Sequence, residues 1–81
     1  MDGVDPQIIT SAVQAAKLVP DVADAQARAR WSGRTLTLDI DIWLDPTTPL
    51  ADATHIAEAV RLSALSAIEA ARTVNVRPLA H

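Results

Sequence analysis

The sequence lacks cysteine, phenylalanine and tyrosine, and it contains only two glycines. Without cysteine the chain forms no disulfide, no thiolate zinc site and no Cys-x-x-Cys motif of the copper-chaperone kind. Two glycines provide no phosphate-cradling loop, and no serine stands beside a base in a catalytic motif, so we expect the chain not to be an enzyme. The two aromatic residues, both tryptophan, are too few for the stacking surface of small RNA-binding folds.

Charge and hydrophobic runs argue against two further classes. A net charge of −3 and a pI near 5.0 disfavour a nucleic-acid partner, which needs a basic surface to neutralise its phosphates. No apolar run reaches the roughly 18 residues of a membrane-spanning helix. The longest candidate, residues 12–19, carries Lys17 and lacks a signal-peptide cleavage pattern. We therefore expect this fragment to be soluble.

The length and the apolar content predict one small domain over residues 1–81. An apolar fraction of 49% is normal for a globular fold. Alanine supplies much of that fraction, however, and few side chains contribute the roughly 1.5–3 kcal/mol that burying a large aliphatic group provides. A core that buries so little apolar area would be stabilised by burying further surface against a partner, so we expect a homodimer.

Two helices are predicted from capping residues and hydrophobic spacing. Asp5-Pro6 starts the first, because aspartate can cap a helix and proline at its first position loses no hydrogen bond. Pro20 ends that helix. The second helix is predicted over residues 49–71, opened by Thr48-Pro49. The stripe expected to face the core consists of Ile56, Val60, Ala64, Ala67 and Ile68.

Alternating residues predict three strands. Residues 22–31 alternate alanine with polar residues, and residues 35–45 alternate large aliphatic with polar residues. Ser32-Gly33 indicates a two-residue hairpin turn between them. A short third strand is predicted over residues 73–77, ended by Pro78.

The two faces of the hairpin follow from its register. With Trp31 facing Arg34 across the turn, one apolar face forms and the polar residues share the other, which a one-residue slip would destroy. The expected pairs are Ala29 with Leu36, Ala27 with Leu38 and Ala25 with Ile40. The predicted fold class is α+β, an αββαβ ferredoxin-like or metallochaperone-like small antiparallel sheet with two helices on one face.

One segment resembles a known family. Residues 39–60 read D-I-D-I-W-L-D-P-T-T-P-L-A-D-A-T-H-I-A-E-A-V, which is similar to the D-L-H-V-x-V-D-P-x-x-S-L-x-E-A-H-x-I-A-E-x-V pattern of the cytosolic C-terminal domain of cation diffusion facilitators. Residues 1–6, Val22 with residues 28–33, and Val74-x-Val76 with Pro78 extend the resemblance along the chain.

The resemblance implies a regulatory domain of a proton-coupled transporter that exports divalent metal cations. Such a domain pairs as a homodimer on the cytoplasmic side of the membrane, beside the membrane-embedded transporter region. It binds zinc or a similar ion between the protomers.

The family's ligand positions are only partly retained. The strand histidine falls on Asp41 and the helix histidine on Thr54, with His55 the next residue. One helical position rotates a side chain by about 100°. The closing-strand histidine falls on or near Asn75, and the acid near the final proline becomes Arg77, a permanent cation. The resemblance therefore implies a degenerate metal site.

The residues themselves leave two interpretations of the polar face open. In one, its aspartates are solvated and paired with Arg28 and Arg30. In the other, they form a weak site for a divalent cation such as zinc, manganese or iron, with His81 also close by. The candidate metal ligands are Asp41, Asp39 and His55, and the candidate interface residues are Trp43, whose indole is expected to be exposed, and Asn75.

Two other functions share these features. A stand-alone module of the ACT type would bind a small ligand such as an amino acid at its dimer interface, because fold alone does not determine function. A protein-interaction domain that has lost metal binding is the second. A membrane region preceding residue 1 would distinguish a transporter domain from a stand-alone ACT-type module. A metal titration would identify a protein-interaction domain that has lost metal binding.

Overall fold

The computed structural model describes residues 4–80. The predictions that involve residues 1–3 and His81 lie outside this range. The elements are α1 (Pro6–Lys17), β1 (Asp24–Ser32), β2 (Thr35–Leu44), α2 (Leu50–Ala67) and β3 (Ala71–Ala80). The predicted αββαβ order is confirmed.

The first helix starts as predicted, whereas the second starts differently. The Asp5 carboxylate accepts a hydrogen bond of 2.9 Å from the Gln7 backbone N–H, and proline follows at the first helical position. Helix α2 has Pro49 as its N-cap without a side-chain capping bond, so Thr48 does not cap it. The turn before α2 is instead held by Asp45, whose carboxylate accepts from the Thr47 backbone N–H at 2.8 Å and hydroxyl at 2.6 Å.

The second helix also ends earlier than predicted. Its last residue is Ala67, and Ile68 has extended backbone angles of φ −123° and ψ 103°. Ile68 is buried in the core, whereas Ala67 is exposed. The chain leaves the helix here because it must return to the sheet within three residues to start β3.

The three strands form one sheet in the order β1-β2-β3. Strand β1 pairs antiparallel with β2, and β3 pairs parallel with β2. The fold class is confirmed, but the expectation of a wholly antiparallel sheet is wrong. Helix α2 is a crossover connection, and such a connection returns the chain to the sheet in the direction in which it left.

The hairpin register differs from the prediction by two residues. Ala29 lies opposite Leu38 and Ser32 opposite Thr35, so the two loop residues are Gly33 and Arg34. A positive φ of 62° at Gly33 suits the first loop position of a type II′ turn, where glycine is preferred. Because side chains alternate with a period of two, a two-residue offset keeps every side chain on its predicted face.

Strand β3 is longer than predicted and continues through Pro78 to Ala80. Proline has no backbone N–H to donate to a ladder. Strand β3 is an edge strand with β2 as its neighbour, and proline is tolerated at such an edge. For this reason Pro78 does not end the strand.

The core lies between the helices and one face of the sheet. On this face β2 contributes five buried aliphatic side chains, and α2 adds Ile56, Val60 and Ala64. Helix α1 packs through alanines, and the Ser63 hydroxyl of α2 donates to the Ala15 carbonyl of α1 at 2.9 Å. The buried β2 residues are Leu36, Leu38, Ile40, Ile42 and Leu44. Within residues 4–80, no helix is both long enough and apolar enough to cross a membrane.

Candidate functional site

The face of the sheet that points away from the helices carries the candidate residues. Alternation along β2 places Asp39, Asp41 and Trp43 on this face, which we call the open face. Antiparallel and parallel pairing then bring polar residues of β1 and β3 beside them. These neighbours are Gln26, Arg28 and Arg30 on β1, and Thr73, Asn75 and Arg77 on β3.

Asp41 is the most enclosed polar residue of the open face, with 5% of its surface exposed. The Arg77 guanidinium donates from Nε to Oδ1 at 3.2 Å and from Nη2 to Oδ2 at 3.2 Å. Arg28 donates from Nη1 to Oδ2 at 3.3 Å. Both carboxylate oxygens are therefore occupied, one arginine binding in the two-pronged geometry that suits a carboxylate.

The pKa of Asp41 is lowered from its ordinary value by these partners. Burial is the largest single influence and by itself raises the pKa, because it disfavours the charged form. The hydrogen bonds and charges of Arg77 and Arg28 act in the opposite direction and together outweigh burial. Asp41 is thus held as a carboxylate although it is buried.

Asp39 forms a second, more accessible group on the same face. Its Oδ2 accepts from Arg30 Nη1 at 2.9 Å, and its Oδ1 accepts from Asn75 Nδ2 at 3.0 Å. The parallel register sets Asn75 directly beside Asp39. The predicted interface residue Asn75 therefore lies on the open face, with its amide bonded to a neighbouring strand.

Trp43 lies at one end of the open face, between Asp24 of β1 and Leu79 of β3 in the register. It is half-buried, so its indole is less exposed than the sequence predicted. Trp31, at the hairpin end of the sheet, remains 43% exposed. Trp43 lies on the central strand with a strand on either side, whereas Trp31 lies near the end of the edge strand β1.

His55 lies apart from the aspartates of the open face. It is an exposed residue of α2, and α2 packs on the opposite face of the sheet. There it lines an open hollow of about 600 Å³ together with Asp21, Asp45 and Asp52. The preceding residue, Thr54, donates its hydroxyl to the Leu50 carbonyl at 3.1 Å, within the same helix.

The three candidate metal ligands are not gathered into one site. Within residues 4–80, no group of three or more histidine, cysteine, aspartate or glutamate side chains is placed to hold a metal ion. Asp39 and Asp41 share a face, but each is bonded to arginine. Metal binding by Asp41, Asp39 and His55 stays a prediction, and these contacts disfavour it.

Part of this arrangement was predictable from the sequence. The ion pairs of Arg28 with Asp41 and of Arg30 with Asp39 are those expected for a paired polar face. The burial of Asp41 and its bidentate contact with Arg77 were missed. Arg77 lies 36 residues from Asp41, and only the parallel register of β3 brings the two together.

No family model matches this chain. A probable cation efflux system protein of Mycobacterium tuberculosis, from the CDC 1551 / Oshkosh and H37Rv strains, is 41% identical over 58 residues. The matched segment is 70% of this chain and 18% of each relative. The chain thus spans less than a fifth of the length of these curated relatives.

Solved structures of the MamM C-terminal domain share the fold. The nickel form of a single-residue variant has a TM-score of 0.91 at 28% identity, covering 95% of this chain and 99% of that one. A second variant has a TM-score of 0.90 at 28% identity, covering 94% of this chain and 96% of that one. The chain belongs with the C-terminal domains of the cation diffusion facilitator family. As a domain of this family it has the metallochaperone-like fold that the resemblance implied.

Proposed function

We propose that this chain is the regulatory and dimerisation domain of a proton-coupled transporter that exports divalent metal cations. In this role it lies at the cytoplasmic face of the membrane and catalyses no reaction. The observation that supports the proposal most strongly is the match to the MamM C-terminal domain over nearly the whole of both chains. The 41% identity to a cation efflux system protein supports it independently of the fold.

The end of the sheet at which Trp43 lies, where Leu79 of β3 is its neighbour, favours association with a second copy. Next to the ends of β2 and β3, Leu44, Leu50, Pro78 and Leu79 line a hollow of about 150 Å³. Leu50 is 84% exposed, although burying a leucine is favourable by roughly 1.5–3 kcal/mol. A leucine this exposed beside an apolar hollow is a candidate contact site for another protein surface. We propose that a homodimer forms here, with Trp43 and Asn75 in the contact.

Substitution of Trp43 tests this dimer. We expect Trp43→Glu to weaken association by about 2 kcal/mol, because a tryptophan at a contact centre carries a large share of binding energy. The measurement is sedimentation equilibrium of the purified domain over a range of concentrations. Trp31→Glu is the matched control: it makes the same change in charge and size at the other end of the sheet and should leave association unchanged. A monomeric native domain at high micromolar concentration would contradict the proposal.

The proposed metal site is a degenerate one that binds divalent cations weakly. Its donors on the open face are carboxylate oxygens, which suit hard ions such as manganese better than zinc. A tetrahedral zinc site normally uses nitrogen and sulfur ligands in addition. We therefore propose that zinc, manganese or iron binds with low affinity and that Asp41 contributes more than His55.

The gene sequence preceding residue 1 tests the transporter assignment directly. Membrane-spanning segments encoded there would support a domain attached to a transporter region. A soluble enzyme or ligand-binding domain in that place would contradict the proposal. Deleting residues 4–80 from the complete transporter should then change the metal dependence of efflux, measured with cation-loaded vesicles.

A further inference from the structure

The contacts of Asp41 are those of a carboxylate that has already acquired a counter-ion. Two guanidinium groups donate three hydrogen bonds to its two oxygens at 3.2–3.3 Å. A metal ligand must present bare lone pairs to the ion. A divalent cation could bind Asp41 only by displacing the Arg77 fork and leaving that guanidinium close to a like charge.

The charge of the surrounding group opposes a cation as well. Three guanidinium groups, of Arg28, Arg30 and Arg77, are paired with the two carboxylates of Asp39 and Asp41. Three positive charges against two negative ones leave this group with a net charge of +1. At separations of a few ångströms a further double positive charge is repelled, and partial burial weakens the screening of that repulsion.

The donor types on this face do not fit the metal that the family resemblance implies. The described part of the open face contains no imidazole and no thiolate, and His55 is on a helix that packs on the other side. The remaining donors are carboxylate, amide and hydroxyl oxygens. The residues of one chain therefore do not make a zinc site.

We infer that Arg77, supported by Arg28, takes the place of a divalent ion: its guanidinium occupies the Asp41 carboxylate to which such an ion would otherwise bind. Arg77 thereby determines the low cation affinity of the open face and makes association of the domain independent of divalent metal. This inference rests on the proposed function, since it describes how the same face is regulated.

Arg77 has the larger effect of the two arginines. It binds both oxygens of Asp41, whereas Arg28 binds one of them. Its side chain lies on an edge strand and is 66% exposed, so its removal should disturb the core little. The carboxylate would then be left with one hydrogen bond from Arg28 and open to solvent.

The test compares Arg77→Gln with Arg72→Gln. Both changes remove one arginine from β3, so the net charge of the chain falls equally, but Arg72 bonds to neither aspartate of the open face. The affinity of each purified domain for manganese and for zinc is measured by calorimetry at neutral pH and fixed ionic strength. We expect Arg77→Gln to bind manganese at least about tenfold more tightly than the native domain, about 1.4 kcal/mol, and Arg72→Gln to match the native domain.

Two further variants locate the effect. Adding Asp41→Asn to Arg77→Gln should abolish the gain, since it removes the carboxylate that the cation would use. Arg77→Lys keeps the positive charge and should leave the affinity at its native level, and it serves as a second folded comparison. Equal gains in Arg77→Gln and Arg72→Gln would overturn the inference, as would a gain that survives Asp41→Asn.

Sedimentation with and without a chelator supplies the second measurement. The native domain should associate equally in chelator and in zinc, whereas a zinc-dependent native dimer would overturn the inference. If the native domain is monomeric under both conditions, the proposed dimer fails. The calorimetric comparison of Arg77→Gln with Arg72→Gln still decides the role of Arg77 in that case.

Discussion

The two faces of strand β2 bury neighbouring residues by different physical means. Ile40 and Ile42 are enclosed by alanines and aliphatic side chains under the helices. Asp41, between them in sequence, is enclosed by the arginine side chains of β1 and β3, with no helix above it. Aliphatic packing excludes water on one face, and the stems of charged side chains do so on the other. Burial alone therefore does not distinguish a core residue from a residue of a functional surface.

The two kinds of burial differ in what they contribute to stability. Each large aliphatic side chain on the helix-covered face contributes roughly 1.5–3 kcal/mol. Ion pairs with solvent-exposed partners contribute about 0–1 kcal/mol each. Stability should therefore reside mainly under the helices, so the open face can change its charges while the fold is retained.

The largest expected effect is that of removing an aliphatic side chain from the covered face. Ile40→Ala should lower the free energy of unfolding by about 3 kcal/mol, the combined loss of apolar burial and of packing around the cavity. Urea denaturation followed by circular dichroism measures it. Asn75→Ala, which removes one amide contact to Asp39 on the open face, should lower the same free energy by less than about 1.5 kcal/mol. Similar losses in the two variants would break the contrast between the faces.

A smaller effect, dependent on pH, is expected at Asp41. Because the pKa of Asp41 is lowered on folding, its ionised form stabilises the fold above the unfolded pKa of about 3.9. This stabilisation is lost as the pH falls through the lower folded pKa. Asp41→Asn should reduce the free energy of unfolding by about 1–2 kcal/mol at pH 7.

The pH profile distinguishes an ionic role of Asp41 from a purely steric one. The difference in unfolding free energy between the native domain and Asp41→Asn should narrow as the solution is acidified below about pH 4. Urea denaturation at a series of pH values measures it. A difference that stays constant across this range would show that the charge of Asp41 does not stabilise the domain.

An effect of similar size, arising from the backbone alone, is expected in the hairpin that joins β1 to β2. Gly33 has φ 62°, and a Cβ atom added there would meet nothing within 4 Å. Gly33→Ala should therefore destabilise the domain by about 1–2 kcal/mol through backbone conformation alone. Thermal unfolding measures it, with Arg34→Ala at the neighbouring loop position as a control that should have almost no effect. An unchanged melting temperature in Gly33→Ala would mean that the turn adapts.

The sequence determined which side chains share a face. Residues two apart in a strand point the same way whatever the strand pairs with, so the aliphatic and aspartate rows of β2 were predictable. The two-residue error in the hairpin register did not affect them. Asp5 and Pro6 likewise predicted the start of α1, because capping depends on the residues next to the helix.

Only the tertiary structure decided what each face does. The parallel direction of β3 depends on the course of α2 across the sheet, and the register of β3 depends on packing between residues far apart in the chain. That register sets Arg77 against Asp41, 36 residues away, and converts a candidate metal ligand into a buried ion pair. Local sterics repeat along a strand and can be predicted from the sequence. The partner of a charged side chain depends on strand pairing between distant segments, which the local sequence pattern does not reveal.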